Sequence, residues 1–158
     1  MNIPFLIARH VLDVHEGGNW TEVDITSTLK DVTLQQAVSL TPGSPNTIAA
    51  LLHHLTYWNR VMVSRINGTA VVVPEANGFD APVLNVEQDW EVLKEDNLRS
   101  ARELAAAITG CQEYNLSAPI LPGYPSAYKS LQGSVEHIHY HLGQIVILKH
   151  LIKGNYCN

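Results

Sequence analysis

A chain of 158 residues has the length of one domain and enough side chains to bury a core without covalent staples. Apolar types make up 46% of it and charged types 16%, which excludes a disordered tail. Ten Lys and Arg against fifteen Asp and Glu leave a formal charge of −5, the wrong sign for a protein that draws its affinity from phosphates, so no nucleic-acid partner is expected.

The opening Met1–His10 is apolar but has neither a basic leader nor a small-residue cleavage site, and it reads as a core helix over Pro4–Val14, stopped by Gly17-Gly18. From Asn19 to Thr41 the pattern is mixed, with one short helical turn over Thr33–Val38. Ser44-Pro45 has the form of an N-cap followed by proline at the first helical position. Ile48, Leu51, Leu52, Leu55, Trp58, Met62 and Ile66 then recur at three- and four-residue steps, and Asn67-Gly68 closes the helix. The segment 68–85 is the longest connection, and Val71–Val73 is its one candidate strand. A third helix is predicted over Val86–Thr109, ending at Gly110, and a fourth from Ser126 to Lys153, ending at Gly154. Lys149, His150 and Lys153 suit the negative end of its dipole.

Four amphipathic helices and no linker predict an all-α fold, a four-helix bundle, with residues 1–158 as a single domain. A connection as long as 68–85 could return along the whole bundle and leave its flanking helices parallel, giving an up-down-down-up order; a loose loop between antiparallel neighbours would look the same. No apolar run approaches the ~20 residues that span a bilayer, so no membrane partner is expected. Cys111 and Cys157 are too few for a disulfide framework or a Cys-rich zinc site, which favours a reduced, cytoplasmic setting. Cys111 reads as a free structural thiol, since no partner histidine is identifiable.

Eight histidines are the unusual count, and helical phase sorts them. At about 100° per residue, His54 lies at the edge of the apolar stripe of the second helix, while His53 falls on the opposite, solvent side. His137 and His141 are four apart on the fourth helix, on one inward-leaning flank, a spacing that lets two imidazoles reach one cation. His139 lies about 160° from His141 and cannot join them; His10 and His15 are about 140° apart and do not chelate. A single His beside a core is most often a hydrogen-bonded packing residue. Three at matching heights on facing helices form a candidate metal site: His54, His137 and His141. A His₃ set keeps a coordination position open, as catalytic sites do, and neutral imidazole suits zinc, nickel, copper or iron. Glu136-x-x-His139 is half of a di-iron motif without its second half, and no phosphate-cradling glycine loop is present. Gly133 and Gly143, inside the fourth helix, are expected to mark a close helix approach.

Three stretches resemble the DinB-like family of four-helix bundles, which includes thiol-dependent S-transferases. They are Trp20-Thr21 with Ile25–Leu29; Ser44–Gly68, containing His54-Leu55-Thr56-Tyr57-Trp58-Asn59-Arg60; and His137-Ile138-His139-Tyr140-His141-Leu142-Gly143-Gln144. The last is the most specific. The resemblance implies an up-down-down-up bundle, frequent homodimers, and a divalent metal held by His54, His137 and His141, zinc or nickel first among the choices. Leu142 stands where many members carry a basic residue.

Two enzymatic readings follow. In one, an open metal position lowers the pKa of a low-molecular-weight thiol from ~8.5, and the thiolate attacks a small electrophile. In the other, bound water is the nucleophile of a hydrolase, but no carboxylate is placed as its general base; Glu136 points away from both neighbouring histidines. The third reading is a non-catalytic bundle that binds metal or packs against a partner. No catalytic residue beyond the metal ligands can be named from the sequence.

Overall fold

The computed structural model describes residues 2–154; Cys157, the second cysteine, lies outside them. Among the described residues the chain is all-helical, with α1 Ile3–Glu16, α2 Ile25–Leu29, α3 Leu34–Ala37, α4 Ile48–Ile66, α5 Glu87–Thr109, a 3₁₀ turn at Glu113–Asn115 and α6 Ala127–Lys153.

Capping chemistry sets the boundaries and corrects two expectations. Helix α1 starts at Ile3, because the Asn2 side chain accepts from Phe5 N, and it runs on to Glu16 before Gly17 turns the chain at φ 103°. Helix α4 is capped by Thr47, whose hydroxyl accepts from Ala50 N at 3.1 Å, not by Ser44-Pro45. Ser44 is consumed in the preceding turn: its N–H donates to Thr41 O and its hydroxyl accepts from Asn46 N. A hydroxyl spent on its own turn cannot cap a helix three residues on. Helix α5 begins after Val86 and α6 after Ser126, as predicted; Gly154 ends α6 in the left-handed conformation. The mixed stretch holds α3, with Thr33 as its cap, and an extra short helix, α2, capped by Asp24. Val71–Val73 forms no strand, and Val72 is exposed.

The four long helices enclose one apolar core. Val11 and Val14 of α1, Leu51, Leu52 and Leu55 of α4, Trp90, Leu104 and Ile108 of α5, and Leu131, Ile138 and Ile145 of α6 are all buried within it. Trp90 gives the core its largest side chain and donates its indole N–H to Val32 O at 2.7 Å, satisfying the one polar atom that burial would otherwise orphan. Between α4 and α5 runs a buried polar seam. Asn97 donates to the Thr56 hydroxyl at 3.1 Å, and Asn59 donates to the Ser100 hydroxyl at 3.0 Å. Thr56 and Ser100 pass their own protons back to the carbonyls of Leu52 and Asn97. The seam lies beside His54 in sequence and fixes the height at which α4 and α5 meet.

Gly133 and Gly143 do not mark a close approach. A Cβ on either would meet nothing within 4 Å. Gly133 instead lines a cavity.

Candidate metal centre

Helix α4 presents His54 and helix α6 presents His137 and His141, and the three rings converge. Their centroids are 4.9 Å apart for His54 and His137, 4.6 Å for His54 and His141, and 4.5 Å for His137 and His141. One donor atom from each lies within 4.8 Å of the others, and the Nε2 atoms of His54 and His137 approach to 2.9 Å. Nitrogens sharing one ion at ~2.0–2.1 Å each are separated by about 3–4 Å, so these donors lie within a small side-chain adjustment of sharing a cation. His139 is absent from the cluster and meets His10 of α1 instead, Nε2 to Nε2 3.4 Å. Glu136 is exposed.

The tautomers agree with that chemistry. His54 donates Nδ1–H to the carbonyl of Asn77 at 2.6 Å, and His141 donates Nδ1–H to Gln144 Oε1 at 2.7 Å. A carbonyl and an amide oxygen can only accept, so both rings turn the lone pair of Nε2 inward. Holding the far nitrogen in this way sets ring orientation and raises ligand basicity. Burial keeps the cluster uncharged: it pushes His54 down to about 4 and His137 to about 3, the latter helped by the charges of His141 and His54, and it lowers His141 too. Three neutral imidazoles at neutral pH are ligands, not cations. The residues therefore fit a divalent transition metal by donor chemistry, separation and protonation state.

The segment 68–85 supplies much of the centre. Asn77 and Gly78 both take left-handed φ, 51° and 78°. That turn aims the Asn77 carbonyl at His54, and lays Phe79 flat on the His54 ring at 4.0 Å and 9°. A Cβ at Gly78 would come within 2.7 Å of the Tyr57 ring, so only glycine fits. The Asn77 side chain accepts from the Trp58 indole at 3.1 Å. His53, expected in solvent, is half-buried because this turn covers its face; its Nδ1 meets Gly78 O at 2.8 Å.

Above the histidines opens a cavity of about 500 Å³, walled by Trp58, Met62, Phe79 and Tyr124 and floored by His54, His137 and His141. Arg65 and Lys129 also line it, and among the described residues no aspartate or glutamate does. Gln144, Asn77 and Phe79 were not singled out by sequence as parts of the site. Gln144 alone left a signal, its position three residues after His141 on one helix face. Cys111 lies elsewhere, half-buried, its thiol pushed up by burial, donating to Ala107 O.

An all-helical fold with a His₃ cluster beneath a small-molecule-sized cavity defines a class of candidate metal-binding helical proteins. The family model for the DinB superfamily matches residues 18–145, most of the chain and all three histidines, and the chain belongs to that superfamily. Searches of curated proteins and of solved structures returned no match. Among the described residues no helix is long and apolar enough to cross a membrane.

Proposed function

We propose that this protein is a metal-dependent enzyme in which His54, His137 and His141 hold a divalent transition metal, zinc or nickel, and a low-molecular-weight thiol is transferred to a small electrophile. The observation that carries the reading is the inward lone pair on two of the three clustered imidazoles, each fixed by an oxygen on its far side. When bound, the metal would supply a Lewis-acidic centre that lowers the pKa of a thiol from ~8.5. The chain's own part is to orient and exclude. Gln144 and the Asn77 carbonyl hold the rings, Phe79 covers one face of His54, and the aromatic wall keeps water from the bound electrophile.

The lining favours thiol transfer over the hydrolytic alternative, since among the described residues no aspartate or glutamate lines the cavity to take a proton from a hydrolytic water. A thiol brings its own nucleophile. We further read residues 1–158 as one domain with an up-down-down-up course. Thr56 meets Asn97 and Asn59 meets Ser100, which supports parallel α4 and α5; Ile3 shares a hollow with Ser126 and Tyr128 while His10 meets His139, which supports α1 running with α6, and Ile3 also lies near Glu113 and Leu116, past the end of α5, while Glu16 pairs with Arg102, which supports α1 running against α5. Exposed Phe5 and Leu6 on α1 and Tyr140 and Ile147 on α6 support a homodimer.

The test is metal content and thiol conjugation, measured together on protein purified without a metal column. Zinc or nickel near one equivalent, lost in His54→Ala, and metal-dependent conjugation of 1-chloro-2,4-dinitrobenzene to a cysteine-derived thiol are expected. Full metal content in His54→Ala, or no metal-dependent conjugation with any thiol of a panel, would overturn the reading.

A further inference from the structure

The cavity over the histidines is cationic in an acidic protein. The chain carries −5, yet Arg65 and Lys129 line the cavity and, among the described residues, no aspartate or glutamate does. Among the described residues neither cation takes part in an ion pair, although Arg60, Arg99, Arg102, Lys149 and Lys153 all do. Arg65 is also unusually placed. Its guanidinium lies 5.2 Å from the Trp58 ring centroid and 5.0 Å from that of Tyr124. Its Nε is buried with no hydrogen-bond partner, and its one side-chain contact of that kind among the described residues is a weak one to the Met62 sulfur at 3.8 Å.

A guanidinium offers five N–H donors in a rigid plane. A cation held over aromatic rings keeps its in-plane donor edge, which matches a carboxylate bidentately. The Nη end of Arg65 has no oxygen acceptor among the described residues, which leaves its donors for a ligand. Trp58 lies near both parts of the cavity: its ring centroid is 5.2 Å from the Arg65 guanidinium carbon and 6.0 Å from the centroid of His137. A ligand lying along the indole would reach both.

We propose that Arg65, with Lys129 at the rim, is an anion-binding subsite of this cavity, and that its ligand is a small molecule carrying a carboxylate on an apolar or aromatic body. The inference deepens the functional reading above and rests on it for the reacting end of the ligand. A planar carboxylate suits a guanidinium held beside two aromatic rings, and the aromatic wall suits the body. Arg65 is a specificity-determining residue on this account.

The test is calorimetric titration of the full chain with 4-phenylbutyrate and its neutral isostere 4-phenylbutyramide, with zinc content measured in each preparation. The acid is expected to bind about 10- to 100-fold more tightly than the amide, as a charge-assisted hydrogen-bond pair provides. That advantage is expected to vanish in Arg65→Gln, with zinc content unchanged, and to persist in zinc-depleted His137→Ala. An advantage that survives Arg65→Gln but disappears in His137→Ala would put the carboxylate on the metal, overturning the subsite while upholding the metal site. Equal binding of acid and amide by the wild type, or tighter binding of inorganic phosphate than of the acid, would also overturn it. Should Arg65→Gln not fold, Arg65→Lys keeps the charge without the fork: loss of most of the advantage is expected, and full retention overturns the proposal. Zinc retained in His137→Ala would sink the metal reading and leave the Arg65 comparison standing.

Discussion

His141 and Gln144 show what one side chain adds to a candidate ligand. The amide oxygen takes the Nδ1 proton of His141, so Nε2 is left basic and pointed inward. Replacing Gln144 by Leu removes that acceptor while keeping most of the bulk, and metal affinity should fall about 10- to 100-fold by chelator competition with little change in circular dichroism. His15 tells the opposite story. It is buried, donates to Val11 O, and its Nε2 has no partner; burial pushes its pKa from 6.5 down to about 4. The unfolded chain therefore takes up a proton as pH falls through 6.5, and the folded chain refuses it until about 4. Stability is full above 6.5 and declines between those values, by about 3 kcal/mol in all. Denaturant titrations across that window should show the decline, and His15→Leu should remove this part of it.

Helical phase was enough to bring the three candidate ligands together, because a helix ties side-chain direction to residue number. His54, His137 and His141 were legible for that reason. His53 departs from its expected solvent position for a related one: phase says which way a side chain leaves its helix, not whether another segment lies over it, and the turn at Asn77-Gly78 does. The cap of α4 was misplaced because Ser44 has the right chemistry in the wrong turn. The Asn77 carbonyl at His54 left no trace, since every residue carries a carbonyl and only the backbone course aims it. Two substitutions separate the kinds of glycine. Gly143→Ala, with open space around the new methyl, should stabilise α6 by about 1 kcal/mol in thermal or chemical unfolding. Gly78→Ala meets both a positive φ and the Tyr57 ring, so it should cost about 1–3 kcal/mol and weaken metal binding with it.

At the level of the whole molecule, α4 and α6 contribute the three clustered histidines while the segment 68–85 presses on them from outside. An ion held there would bind the folded chain and not the unfolded one, so saturating metal at 1,000 times its dissociation constant adds about 4 kcal/mol. Chelator treatment should therefore lower the melting temperature of the wild type and leave that of His54→Ala unmoved. Equal shifts in both would locate the ion elsewhere. Sedimentation velocity should give the mass of two chains, and Tyr140→Glu together with Ile147→Glu should return it to one.

The support for His54 comes from the main chain. A scan that truncates side chains one by one would record Asn77 only through its bond to the Trp58 indole and would leave the peptide oxygen beneath His54 untouched. Orientation written into the peptide backbone passes unaltered through most single-codon changes. The stretch around it can therefore drift in composition while this ring stays aimed, provided residue 78 remains glycine.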